Sequence, residues 1–183
     1  LYKDAVNNKS NQKNIGVIKS SNLCAEIVEY SEKDETAVCN LASIALPKFV
    51  TDESKFDYQN LYQVAKLATK NLDQVIDINF YPTNKTENSN SRHRPIGLGI
   101  QGLADVYFKM NIPYDSVQAQ IINKQIFETI YFGALEASME LATDKGPYST
   151  FKGSPLSEGK FQFDLWGVKP SSMWDWKGLM EKI

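Results

Sequence analysis

Histidine and cysteine are scarce in this sequence: His93 stands alone, and Cys24 and Cys39 are the two thiols. Two cysteines are too few for a disulfide scaffold and too sparsely supported for a zinc site, so no metal site is expected. No apolar run approaches the ~20 residues that a membrane span needs, and no charged-then-apolar opening reads as a signal peptide. A reducing, cytoplasmic setting is therefore the expectation. There a Cys24–Cys39 structural disulfide is not expected, and a catalytic or transient thiol role has to be weighed. Neither sign of charge dominates, with 20 Lys and Arg against 22 Asp and Glu and a net charge of -2. That balance gives no electrostatic footprint for nucleic acid or an anionic membrane, so any nucleotide would be held by a shaped site. Internal repeats and low-complexity tracts are also missing.

What is present is an ordinary globular composition, 42% apolar and 23% charged, over 183 residues. That length can bury a core, and one domain is the default. The sequence starts at Leu1 and stops at Ile183 inside a helical-looking pattern. The expectation is a piece of something larger.

Ser20-Ser21-Asn22-Leu23-Cys24-Ala25-Glu26-Ile27-Val28 is the stretch with the most chemistry. Bounded by turn formers and ending in Ile-Val, it reads as extended, so residues two apart share one side. Asn22, Cys24 and Glu26 would then face one way, and Leu23, Ala25 and Ile27 would anchor the other way in a core. An amide can orient a hydroxyl, a carboxylate can move a proton, and a sulfur can serve as nucleophile, redox partner or radical carrier. The plainer alternative makes Cys24 a small core residue, Asn22 a turn former and Glu26 a solvated strand residue.

Along the chain, Lys3 to Asn14 reads as a frayed helix end and a loop, and Gly16-Val17-Ile18 as a short strand. Tyr30 to Asp34 is a charged surface turn. Thr36 to Ala42 reads as a buried strand, with a helical start from Asn40 as the alternative, and Pro47 closes it. Asp57 caps an amphipathic helix of about twenty residues carrying Leu61, Val64, Ala65, Ala68, Leu72, Val75 and Ile76. Asn79 to Asn90 reads as a polar loop. Ile96-Gly97-Leu98-Gly99-Ile100-Gln101-Gly102 fits neither the dinucleotide nor the Walker spacing, so its glycines read as close-approach or bulge positions. Arg92, His93 and Arg94 beside it could touch an anion.

Gly102 to Met110 reads as a short helix. Asp115 caps a long one, with Gln118 at the capping-box position, that runs to about Thr143 and ends at Gly146-Pro147. Its apolar stripe includes Val117, Ile121, Ile126, Phe127, Ile130, Ala134 and Leu141. After a turn-rich, aromatic segment from Tyr148 to Val168, Ser171 or Ser172 caps a final helix. Its Trp174 and Trp176 read as core and interface anchors.

Read for family, Ser21 to Tyr30, followed by Ala37-Val38-Cys39-Asn40-Leu41-Ala42-Ser43, resembles the active-site region of class I ribonucleotide reductase large subunits of the eukaryotic type. The likeness continues in order through Arg92 to Asp105, Asn123 to Tyr131, Gly146-Pro147-Tyr148, Gly153-Ser154-Pro155 and Trp174-Asp175-Trp176-Lys177. Ala25 stands where relatives often have Thr. The resemblance implies an α/β fold: a helix-rich fragment, residues 1–183, of a ten-stranded α/β barrel, comprising the finger loop and part of the second half-barrel.

It also implies roles. Cys24 matches the cysteine that becomes a thiyl radical and takes the C3′ hydrogen of a ribonucleoside diphosphate. Glu26 matches the carboxylate that accepts the 3′-hydroxyl proton, and Asn22 the amide that hydrogen-bonds the ribose hydroxyls. Asn22, Leu23, Cys24 and Glu26 together match the substrate-binding loop. Cys39 matches one member of the redox-active pair, whose partner lies earlier in the family's chain. The implied activity is ribonucleoside-diphosphate reduction for deoxyribonucleotide synthesis and DNA replication, and residues 1–183 alone are expected to be inactive.

The N-terminal ATP-binding module, the effector region, the downstream phosphate-binding turn, the tyrosine relay and the C-terminal cysteines of the family lie outside these residues. The implied partners are a di-iron small subunit that generates the radical, thioredoxin or glutaredoxin as reductant, ATP and dNTP effectors, and a second large subunit. Two other readings stand beside this one. One is a non-catalytic helical interaction module with buried structural cysteines. The other is a thiyl-radical enzyme using adenosylcobalamin or a glycyl radical, which the Trp174-Asp175-Trp176-Lys177 tail argues against.

Overall fold

Two long helices carry the architecture of the computed structural model, which describes residues 2–183. The first, α2, spans Tyr58–Ile78 and follows a seven-residue helix α1 at Lys3–Lys9. It starts where expected, because the Asp57 carboxylate accepts from the Asn60 amide at 2.9 Å and satisfies one of the first-turn donors. Leu61, Ala65, Leu72 and Ile76 of the foreseen stripe are buried, and Thr69 and Asp73 are buried with them. The second, α5, spans Val117–Lys145 and packs along α2. Gly133 makes the close approach possible, since a Cβ there would lie 3.0 Å from the Tyr62 carbonyl oxygen. The α5 cap is Ser116, whose hydroxyl accepts from the Ala119 amide at 3.1 Å, one residue after the expected Asp115.

The two strands pack against α2. Strand β1, Asn40–Ala45, pairs in parallel with β2, Ile96–Gln101, in the register Asn40 to Ile96 and Leu41 to Gly97. The extended run therefore begins at Asn40, four residues later than expected, and the helical alternative from Asn40 is excluded. Pro47 closes it inside a short 3-10 turn, Leu46–Phe49. A parallel pair needs a crossover, and α2 with α3, Asn84–His93, supplies it.

Helix α3 replaces most of the expected polar loop from Asn79. A reciprocal Thr83–Thr86 capping box starts it, and Arg94 ends it in the left-handed region at φ 46°. The glycine-rich run is the strand β2, so its glycines serve close packing: a Cβ at Gly97 would run into Leu41 Cδ2. Helix α4, Leu103–Lys109, follows as expected.

The main core joins Ile44 and Leu46 to Leu61 and Ala65 of α2, Val106 of α4 and Ile122, Ile126 and Ile130 of α5. A second cluster gathers Phe132, Phe161, Trp176 and Leu179, with Trp174 stacked on Phe132 and Tyr62. Two short helices complete it, α6 at Gln162–Trp166 and α7 at Trp176–Met180. The cap of α7 is Asp175, not Ser171 or Ser172, because the Asp175 carboxylate reaches the Gly178 amide at 2.9 Å. The expected strand at Gly16-Val17-Ile18 does not form: those residues have no ladder partner. Ile18 is nonetheless buried and tied to Asn7, which accepts from its amide at 2.7 Å and donates to its carbonyl at 3.0 Å.

Candidate functional site

The finger stretch folds as a turn and not as a flat strip. Leu23 and Cys24 occupy a tight turn, the Ala25 amide donates to the Asn22 carbonyl at 3.1 Å, and Ala25 sits at φ 63°. A positive φ at the residue between Cys24 and Glu26 breaks the period-two alternation, so the expected common side for Asn22, Cys24 and Glu26 is lost. Leu23 is fully exposed instead of anchored in the core, and Cys24 is exposed beside it. The Asn22 side-chain oxygen closes the loop by accepting from the Ile27 amide at 3.0 Å, which leaves the amide nitrogen as the end able to meet a hydroxyl. Ser21 braces the same loop through a 2.7 Å bond to the Ile27 carbonyl.

The exit limb enters a cleft of about 1080 Å³. Glu26, Glu29 and Cys39 line it together with β1, β2 and the C-terminal half of α5, whereas Asn22, Leu23 and Cys24 stay outside its wall. Of the four residues singled out from the sequence as chemically active, the structure brings Glu26 and Cys39 to one cavity. It leaves Asn22 and Cys24 at the loop tip. Both cysteines are free thiols.

Glu29 was not singled out from the sequence, yet it is the carboxylate against Cys39. Burial pushes the Glu29 carboxyl up to about 7, opposed only in part by its interaction with the Cys39 thiol. Burial likewise pushes the Cys39 thiol up to about 12, with the Glu29 charge adding to it and Glu26 contributing less. Cys39 also points its thiol at the Asn40 carbonyl, 3.7 Å away. Space for this sulfur comes from Gly97 across the sheet, where a Cβ would sit 3.3 Å from Sγ.

The Arg92-His93-Arg94 run is committed elsewhere and does not present a free anion site. Arg94 donates from Nε to Asp73 at 2.7 Å and from Nη1 to Asp77 at 2.8 Å. His93 contacts Glu35 through Nε2 and Thr150 through Nδ1, and Arg92 pairs with the same Glu35 carboxylate. These contacts fasten the turn after the finger, Glu32 to Glu35, to α3 and to the 147–151 segment. A sequence signal existed in the acidic residues Asp73 and Asp77, one helical turn apart and able to share one arginine. Among the described residues, no group of three or more His, Cys, Asp or Glu side chains is placed to hold a metal ion. Nor, among the described residues, is any helix long and apolar enough to cross a membrane.

A family model described as "Ribonucleotide reductase, barrel domain" matches residues 1–183. The chain belongs to the ribonucleotide reductase barrel family. It is 58% identical over 183 residues to the ribonucleoside-diphosphate reductase large subunit of Danio rerio, covering all of this chain and 23% of that protein. It is 60% identical over 182 residues to the large subunit of Caenorhabditis elegans, again covering all of this chain and 23% of the relative. Large chain 2 of Saccharomyces cerevisiae is 58% identical over 188 residues, with all of this chain and 22% of the yeast protein covered. The chain thus spans less than a quarter of the length of these ribonucleotide reductase relatives.

Proposed function

We propose that this chain is the finger-loop segment of a large subunit that reduces ribonucleoside diphosphates by thiyl-radical chemistry. The observation that carries the reading is the similarity over the whole chain to named ribonucleoside-diphosphate reductase large subunits. In this reading Cys24, as a thiyl radical, takes the C3′ hydrogen of the substrate. Glu26 accepts the proton of the 3′-hydroxyl, which eases departure of the 2′-hydroxyl as water. Asn22 orients the ribose hydroxyls, and Cys39 with a cysteine elsewhere in the full chain gives the two reducing equivalents. The oxidising equivalent that makes the radical comes from a small subunit.

The placement of Glu26 and Cys39 in one cleft supports this division of labour. So does the open position of the finger tip. A radical must be shielded from solvent, and the remaining strands of a ten-stranded barrel would supply that cover. Phe80 and Phe108, both largely exposed, mark apolar surface where those parts would pack. ATP and dNTP effectors, a second large subunit, a thioredoxin-type or glutaredoxin-type reductant and a cytoplasmic setting belong to the same proposal.

The test uses a full-length large subunit carrying this sequence, assayed with its small subunit for deoxyribonucleoside diphosphate formation. Cys24→Ser should abolish turnover while the subunit still folds, because a hydroxyl cannot replace the sulfur radical. Turnover retained in Cys24→Ser would sink the reading.

A further inference from the structure

We propose that Glu29 is the proton-exchange partner of Cys39, taking the thiol proton as a sulfur bond forms and returning it when the sulfur leaves. The assignment rests on the reading of Cys39 as half of a redox pair. Its geometric basis is that Glu29 and Cys39 line the same wall of the cleft, Cys39 immediately before β1 and with Gly97 leaving room at its sulfur; the carboxyl and the thiol shift each other's proton affinity there. The limb carrying Glu29 is pinned on both flanks. The Ile27 amide is held by Asn22, and the Tyr30 amide donates to the Gln12 side-chain oxygen at 2.8 Å.

Among the described residues no cation forms an ion pair with Glu29. The cleft wall it shares with Glu26 and Cys39 also carries Asp73, His93, Arg94, Lys145 and Lys182, of which Arg94 and Lys145 pair with Asp73 and His93 with Glu35. On its other face lie Lys19, Glu32 and Glu35. Lys19 is spent on Glu32 at 2.6 Å, and Glu35 is occupied by Arg92 and His93. A carboxyl held there is neutral or charged with nearly equal ease at neutral pH, which suits a group that must both give and take a proton. The thiol needs such help. One that ionises only far above neutrality is a poor leaving group in disulfide exchange, because the departing sulfur must carry off the bonding electrons.

In re-reduction, a thiolate sulfur of a dithiol reductant bonds to the partner cysteine of the Cys39 disulfide. The S–S bond breaks, and the Cys39 sulfur leaves with its electron pair and takes the Glu29 proton. The second thiol of the reductant then displaces the partner cysteine, whose sulfur takes up that thiol's proton. The dithiol is oxidised by two electrons to its own disulfide, and the protein disulfide becomes two thiols. Glu29 recovers, through solvent, the proton released by the first reductant thiol. Glu26, reserved for the ribose hydroxyl, has no part in this step, so the two carboxylates of the cleft divide the proton traffic.

The test measures dithiothreitol reduction of the oxidised pair at Cys39 in the full-length subunit, followed by mass spectrometry. Glu29→Gln should slow it by about a hundredfold at neutral pH, and Glu29→Asp should restore part of the rate. A Glu29→Gln rate equal to the unmodified protein's overturns the proposal. So does a faster rate, since a carboxylate that merely repels the departing thiolate would give acceleration once its charge is removed.

A second measurement needs no variant. Alkylation of reduced Cys39 by iodoacetamide should rise through an inflection near the Glu29 value of about 7. A profile that follows only thiol ionisation far above neutrality overturns the assignment. Cys39→Ser separates the two levels: normal diphosphate turnover in that variant sinks the redox reading itself. An inactive Cys39→Ser with a Glu29→Gln rate matching the unmodified protein's sinks this assignment alone.

Discussion

His93 Nε2 stands 2.6 Å from a carboxylate oxygen of Glu35, with both side chains buried. Burial, and then the charge of Arg92, holds the imidazole below its ordinary value. Arg92 also pairs with Glu35, which offsets the pull of that carboxylate on a ring proton. The neutral ring donates from Nε2 to Glu35 and accepts at Nδ1 from the Thr150 hydroxyl, 2.9 Å away. An unfolded chain takes up a histidine proton near pH 6.5 that the folded chain accepts only at lower pH. The stabilisation from His93 is therefore complete above about pH 6.5 and is lost as the pH falls below it. Thermal unfolding of the full-length subunit between about pH 7.5 and 5.5 should show Tm dropping on the acid side, and His93→Gln should flatten that dependence.

Gly102 and Gly97 should answer differently to alanine. Gly102 has φ 79°, and a Cβ there would lie 2.7 Å from the Pro47 ring, which cannot swing away. Gly102→Ala should cost about 2–4 kcal/mol by combining backbone strain with overpacking. At Gly97 the obstacles are the end of the Leu41 side chain, which is largely exposed and free to move, and the Cys39 sulfur at 3.3 Å, which has to give by only a few tenths of an ångström. Gly97→Ala should cost less than about 1.5 kcal/mol. Denaturant unfolding of both variants checks the order, and a larger loss at Gly97 would contradict it.

Helix α3 depends on its first turn. The Thr83 hydroxyl accepts from the Thr86 amide at 3.3 Å, and the Thr86 hydroxyl answers the Thr83 amide at 3.4 Å. Thr83→Ala should cost about 1 kcal/mol. Hydrogen exchange should localise the loosening to residues 84–93, with α2 and α5 protected as before.

That helix also shows why part of the fold was hidden in the sequence. Helices α2 and α5 announce themselves by apolar spacing and a capping residue. Asn84 to His93 has no apolar residue at all, because what it buries is polar: Ser89, Asn90 and His93 face inward. No hydrophobic period can reveal a helix held by capping and buried hydrogen bonds. The neighbouring cap assignments slipped because adjacent residues were equally able. Asp115 and Ser116 are both good caps, and it is the Ser116 hydroxyl that takes the Ala119 amide.

At the site, residue types and order pointed to Asn22, Cys24, Glu26 and Cys39, but the shape of the loop did not follow from them. A single residue, Ala25 at φ 63°, reverses the alternation, and alanine gives no warning of a positive φ. Glu29 escaped notice for a different reason. Its setting depends on Cys39 and on the β1–β2 pairing, contacts that no local pattern encodes.

Cys39 leads directly into β1, and the strand that shelters it, β2, lies beyond both crossover helices. A chain emerging from the ribosome therefore carries this thiol before Ile96 and Gly97 have been made. During that interval the sulfur lacks both its wall and its fixed carboxylate neighbour. Pairing of β2 with β1 is the step that gives the sulfur its wall.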